Sequence, residues 1–150
     1  MIPSPPAMAL ALGEAEAAAA RGEVPVGAVL VDAAGQVVAA AGNQVEGDRD
    51  PTAHAEMMVL RAGAKLLGAK RLAGCDLWVT LEPCAMCAGA IAHSHVRRLY
   101  FGAYDPKGGA VEHGPRLFGQ PTIHHCPEIY GGIDEQRAGE LLRAFFQGRR

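Results

Sequence analysis

The residue types of a hydrolytic metal site occur in two short motifs, His54-Ala55-Glu56 and Pro83-Cys84-Ala85-Met86-Cys87. Together they offer one imidazole, two thiols and one carboxylate. A structural zinc closes with four protein ligands, whereas a catalytic zinc keeps three and leaves the fourth position open. His54, Cys84 and Cys87 make three good ligands. Glu56 follows His54 by two residues, which on a helix places it roughly 200° around the axis from the histidine, beside a metal-bound water rather than on the metal. Zinc lowers the pKa of such a water to about 7, and a nearby carboxylate can shuttle its proton to a leaving group. Taken alone, Cys84 and Cys87 read equally as a thiol-redox pair at a helix start, where amides depress a thiolate pKa. The conjunction with His54 and Pro83 favours zinc, and with it hydrolysis.

Around these motifs the composition is that of an ordinary globular chain. The 150 residues are 49% hydrophobic and 20% charged, enough for a single domain spanning 1–150 with a sizeable core. No apolar signal segment precedes the cysteines. The Pro-rich opening Met1–Pro6 reads as a loose end, and the Ala-rich stretch behind it, interrupted by Glu14 and Glu16, is too polar and short to span a membrane. A reducing cytoplasm suits free thiolates. Cys75 and Cys126 read as small buried apolar residues. The net charge of −2 lacks the basic surplus of a typical nucleic-acid binder. Local basic runs exist at Arg61, Lys65, Lys70 and Arg71, and at Arg137, Arg143, Arg149 and Arg150, and both read equally as solvated helix faces.

Several elements must position the motifs. Pro6 to Ala20 should be a helix ending near Gly22. Val24–Asp32 and Gln36–Ala41 should pair as a hairpin around Ala33-Ala34-Gly35, followed by a polar loop from Gly42 to Pro51. Thr52 is the expected N-cap of a helix to Leu67, which places His54 and Glu56 in its first turn. Asp76–Leu81 reads as a buried strand. Pro83 should open the next helix, with Cys84 and Cys87 on one face. Val96–Ala103 and Ile123–Tyr130 are further strands, the latter confined to an edge or bulge by Pro127, with a Gly-rich connection between them. A helix over Ile133–Gln147 closes the chain. This order implies an α/β fold, a three-layer αβα sandwich around a central mixed five-stranded sheet. His124 and His125, adjacent on that last strand, would point to opposite faces and make a poor chelate.

The spacing H-x-E followed by P-C-x-x-C is the signature of zinc nucleobase deaminases. The chain resembles the bacterial tRNA-specific adenosine deaminases, within the cytidine-deaminase-like superfamily. The likeness runs through Glu23–Val29, Gly42-Asn43, Asp50–Glu56, Val79–Ala88, Phe101–Ala110 and Phe145-Phe146. It implies a homodimer with one Zn2+ per subunit that converts adenosine to inosine at the wobble position of a tRNA anticodon loop. By the same resemblance His54, Cys84 and Cys87 hold the zinc, and Glu56 moves protons. Asn43 bonds the target base, Val26 and the backbone at Ala55 wall the pocket, and Asp105 and Lys107 meet the flanking nucleotides. Phe145 and Phe146 lie where the final helix meets the RNA loop, although aromatic residues on an amphipathic helix also serve as core or dimer interface.

Two other readings stay open on the sequence. One is a deaminase of a free base or nucleoside, of guanine or cytosine type, which needs no Gly102–Ala110 segment for RNA. The other is a non-catalytic zinc-stabilised module or a redox protein, which gives Glu56 no task.

Overall fold

The computed structural model describes residues 4–149. Part of the loose Pro-rich start and Arg150 of the C-terminal basic run lie outside the described residues. Helix α1 (Pro6–Ala20) begins with proline at its first position, where a missing N–H costs nothing, and ends before Gly22, whose φ of +87° favours glycine. Strands β1 (Gly27–Val31) and β2 (Val37–Gly42) form the expected antiparallel hairpin. The hairpin starts later than the apolar run, because Val26 N–H turns back onto the Val24 carbonyl at 2.8 Å and Pro25 has no N–H to give a ladder.

After β2 a short helix α2 (Val45–Asp48) stands where the sequence reads as loop. Its cause is remote. The buried Glu23 carboxylate accepts the N–H groups of Glu46 at 3.0 Å and Gly47 at 2.8 Å, anchoring its first turn. Next come α3 (Ala55–Leu67), β3 (Asp76–Leu81), α4 (Ala85–Ser94) and β4 (Arg98–Ala103). A 3-10 turn at Leu117–Gly119, β5 (Glu128–Tyr130) and α5 (Glu135–Gln147) complete the chain.

The sheet has five strands in the order β2-β1-β3-β4-β5. β1 pairs antiparallel with both β2 and β3, while β3–β4 and β4–β5 are parallel, so the sheet is mixed as expected. Along β1, Ala28 and Leu30 pack with Val59 and Leu60 of α3 and Ile91 of α4. Val29 and Val31 turn the other way, toward Met8, Ala11 and Leu12 of α1. Period-two alternation thus buries both faces, which is why β1 reads as a continuous apolar run. α1 and α5 cover one side and α3 and α4 the other, giving the three-layer sandwich.

β5 is much shorter than the expected Ile123–Tyr130. Pro127 cannot donate to the ladder, so residues 121–127 run irregularly across the surface. Cys126 is consequently exposed, contrary to its reading as a buried residue, whereas Cys75 is buried. Among the described residues, no helix is long and apolar enough to cross a membrane.

The seam between α1 and β1 depends on Gly27. A Cβ there would lie 1.9 Å from the Ala11 carbonyl oxygen, and nothing but helix displacement relieves that clash. Gly27→Ala should therefore lower unfolding free energy by about 2–3 kcal/mol, by the usual cost of overpacking. Gly13→Ala, which meets nothing within 4 Å on the same helix, should raise it by roughly 0.5–1 kcal/mol. Urea unfolding of the two variants checks both signs.

Candidate active site

Two helix starts face each other at the end of β3. His54 is the N-cap of α3 and Cys84 the N-cap of α4. Both have extended backbones (φ −74°, ψ 152° and φ −74°, ψ 176°), and neither side chain caps its own helix. This differs from the expectation in two respects. Thr52 is not the cap, because Asp50 Oδ1 binds both its N–H at 2.8 Å and its hydroxyl at 2.7 Å in a tight turn. Likewise Pro83 precedes the helix rather than opening it. The helical angle between His54 and Glu56 therefore does not apply, since only Glu56 lies on helical backbone.

The capping is done from elsewhere. Asn43 Oδ1 accepts the Ala55 N–H at 2.8 Å, which satisfies the first amide of α3 and leaves the His54 ring unencumbered. Asn43 is in turn fixed by its own N–H to the Val26 carbonyl at 3.1 Å and by Arg21, which donates to its carbonyl at 3.1 Å.

His54 Nδ1 lies 3.6 Å from Cys84 Sγ and 3.5 Å from Cys87 Sγ, and the three ligand atoms fall within 4.8 Å of one another. A tetrahedral ion with bonds of roughly 2.3 Å to sulfur and 2.0 Å to nitrogen sets N···S edges at about 3.5 Å. The donor set therefore fits zinc. Its electrostatics fit as well. Hydrogen bonds from the Cys87 thiol and from His54 pull the Cys84 thiol down to about 4. The same sulfur contact, with burial, pushes the Cys87 thiol up, and the Cys84 contact raises His54. Protein charges alone cannot hold both sulfurs as thiolates beside a neutral imidazole, whereas a dication stabilises that set at once. Glu56 is buried at 4% exposure, and loss of solvent first, then the adjacent Cys84 thiolate, raises its pKa toward the range of a proton carrier.

His54, Cys84 and Glu56 open onto a cavity of about 690 Å³, within the usual range of ligand sites. Val26, Asn43, Asp105 and Phe145 line it. Ala55 is fully buried behind it, with its N–H committed to Asn43. Because Asn43 Oδ1 is occupied, its amide nitrogen is the part left for a ligand. Lys107 and Phe146 do not line the cavity: Lys107 sits on an exposed turn, and Phe146 is 52% exposed, edge-on to Phe145. Arg149 was legible only as part of a basic run. Its guanidinium stacks 4.2 Å over the Phe145 ring and donates to the Gly22 carbonyl at 2.9 Å, closing the rim between α5 and the end of α1.

The sequence reading also missed Glu82. This carboxylate is 1% exposed and accepts the N–H groups of Asp105 (3.0 Å), Val111 (3.2 Å), Glu112 (2.9 Å) and His113 (3.2 Å), with His113 Nδ1 at 2.8 Å. It shapes the loop that carries Asp105 to the cavity. Gly109 is required there, since a Cβ would fall 2.5 Å from the carboxylate carbon. A Glu immediately before Pro-Cys-x-x-Cys was visible in the sequence, but its partners lie 23 to 31 residues away.

Residues 4–103 match the cytidine and deoxycytidylate deaminase zinc-binding region. Fold and site together thus define a zinc-dependent deaminase, a hydrolytic enzyme. The chain is 55% identical over 143 residues to the tRNA-specific adenosine deaminase of Agrobacterium fabrum, covering 95% of this chain and 93% of that one. A tRNA:A34 deaminase, solved in a study of A-to-I editing at the wobble position of transfer RNA, superposes with a TM-score of 0.89 at 55% identity, over 91% of this chain and 98% of the other. The guanine deaminase of Nitrosomonas europaea is more distant, with a TM-score of 0.79 and 26% identity over 97% of this chain and 86% of its own. The chain belongs to the tRNA-specific adenosine deaminase family.

Glu82→Gln should loosen the Asp105–His113 loop without unfolding the sheet. Amide exchange at Val111, Glu112 and His113 should speed up by about tenfold or more, as roughly 1.5–3 kcal/mol for hydrogen bonds to a charged group implies. Burial opposes ionisation of Glu82, but the backbone donors and His113 outweigh it and hold its pKa below the ordinary 4.5. The carboxylate's contribution to the loop's protection is therefore full above the ordinary carboxylate value, erodes as pH falls below it, and is lost once pH passes below the lowered value. Hydrogen exchange across that range measures both effects.

Proposed function

We propose that residues 1–150 form one deaminase domain that converts adenosine to inosine at the wobble position of a tRNA anticodon, consuming water and releasing ammonia. The observation that supports this reading best is the three-ligand centre with Glu56 at its side, opening onto a cavity rimmed by Asp105 and Phe145. His54, Cys84 and Cys87 would hold the zinc, which when bound supplies the Lewis acidity that makes a hydroxide nucleophile available near neutral pH.

The chain's own residues do the rest. Glu56 takes one proton of the attacking water and delivers it to the purine ring, then carries the remaining hydroxyl proton to the departing amine, which leaves as ammonia. Its burial keeps it from being levelled by solvent. Asn43 donates its amide N–H to the base, since its oxygen is committed to Ala55. Val26 and the backbone at Ala55 form the wall behind the ring. A base reaches this depth only after leaving its stack, and a single-stranded anticodon loop makes that inexpensive. Asp105 and Lys107, on the loop shaped by Glu82, meet the flanking nucleotides, and Phe145 and Phe146 offer aromatic surface to the loop.

The 55% identity to a tRNA-specific adenosine deaminase, against 26% to a guanine deaminase, favours a macromolecular substrate over the guanine-type alternative. We further propose a homodimer acting in the cytoplasm. Leu66 and Leu67 at the end of α3 are 69% and 45% exposed, apolar area that a second copy would cover.

The assignment is tested on an anticodon stem-loop with adenosine at the wobble position, run beside free adenosine, guanine and cytosine. Inosine should form in the stem-loop alone, and conversion of a free base with the stem-loop untouched would overturn the substrate. Glu56→Gln should retain zinc while turnover falls by about 10²–10⁴, the usual contribution of a positioned acid/base. Metal analysis and single-turnover rates check this. Stem-loop affinity should also fall as salt rises, because phosphate contacts release counterions.

A further inference from the structure

At the opposite end of α4 from the thiols, about 15 Å along a ten-residue helix, four imidazoles gather at the surface. His93 lies in the last turn, and His95 is the C-cap, with φ +55°. His124 and His125 arrive from the irregular segment before β5. The His93 and His124 rings sit 4.2 Å apart and the His95 and His125 rings 5.0 Å apart, each pair tilted by nearly 40°. His125 Nε2 donates to the Val96 carbonyl at 2.9 Å, which fixes that segment against the end of α4.

A cleft of about 240 Å³ opens between them, lined by Lys70, Arg71, His93, His95 and His124. Among the described residues, no carboxylate lines it. The charged neighbours acting on His95 are Arg71, His125, His124 and His93, all cationic or able to become so. The groups that face the cleft are therefore Lys70 and Arg71 beyond α3, His93 and His95 at the end of α4, and His124 before β5, with His125 behind, against His95.

Metal binding does not suit this arrangement. Among the described residues only His54, Cys84 and Cys87 bring ligating atoms within 4.8 Å as a group of three, so these imidazoles do not form such a group. Anion binding does suit it, because two permanent cations and several imidazoles converge with no acid to neutralise them.

We propose that this cleft binds a phosphate group, carried either by an RNA backbone or by a free phosphate ester, and binds it more tightly as its histidines protonate. Lys70 and Arg71 supply positive charge to the cleft, and each imidazole that takes up a proton adds to it. Crowding and partial burial keep His95 below its ordinary pKa when the cleft is empty. A bound dianion relieves that repulsion, so phosphate and proton uptake assist one another.

The test is independent of turnover at the zinc site. Inorganic phosphate is titrated into the zinc-loaded protein near pH 6 and near pH 8 while the histidine ring resonances are followed by NMR. The His93, His95 and His124 signals should shift saturably, with affinity about tenfold higher at the lower pH, the effect expected of one or two added charges. Lys70→Glu should weaken binding at both pH values, and His124→Ala should remove most of the pH dependence, with the Trp78 environment unchanged in both. Displacement of phosphate by a short RNA duplex identifies the backbone as the source, and displacement by a nucleoside monophosphate but not by RNA identifies a free ester. Absence of saturable shifts at either pH, or shifts produced by added zinc and not by phosphate, would overturn the proposal.

Discussion

The structure turns on the need to hold an imidazole nitrogen and two sulfurs about 3.5 Å apart with an open side toward a cavity. Such a cluster is unfavourable until a cation joins it, so the surrounding fold must fix the ligands beforehand. Two helices do this by starting at the same place. His54 and Cys84 occupy N-cap positions, where the backbone is extended and a side chain ordinarily turns back to its own amides. Here those side chains point at one another instead. Asn43 takes over the capping of α3 from outside, and the positive ends of two helix dipoles add to the field that favours thiolates.

Buried carboxylates extend the same logic outward. Glu82 gathers four backbone N–H groups and the His113 ring, and so converts a Gly-rich segment into a shaped loop beside the site. Glu23 does the equivalent for α2, on the other side of the cavity. Each acid is enclosed by donors, which offsets the cost of burying its charge. The rim is completed by Arg149, whose stem and guanidinium tie α5 to Gly22 through the Phe145 ring. The cavity that receives substrate is thus bounded by elements from both layers of helices, and small displacements of α5 would change its shape without touching the metal.

How far this was legible follows from the range of the interactions. The clustering of His54, Cys84 and Cys87, with Glu56 on the same cavity, was readable because motif spacing encodes it directly. Helix and strand types followed from local periodicity, and the mixed sheet from their order. What escaped the sequence was set by partners far along the chain. α2 exists because Glu23 binds Glu46 and Gly47, and the α3 cap moved from Thr52 to His54 because Asp50 holds Thr52 while Asn43 holds Ala55. β5 shrank because Pro127 ends the ladder, which exposed Cys126 and brought His124 and His125 beside His93 and His95. Phe145 and Phe146 are adjacent in sequence, yet α-helical geometry turns one toward the cavity and the other toward solvent.

Three protein atoms, and no more, would hold the metal. X-ray absorption at the zinc edge of the purified protein tests it most directly. The account predicts one zinc per chain with two sulfurs at about 2.3 Å and two light atoms at roughly 2.0–2.1 Å, one of them an imidazole nitrogen and the other exchangeable. A third sulfur, a second histidine, or a shell closed by Glu56 would contradict it.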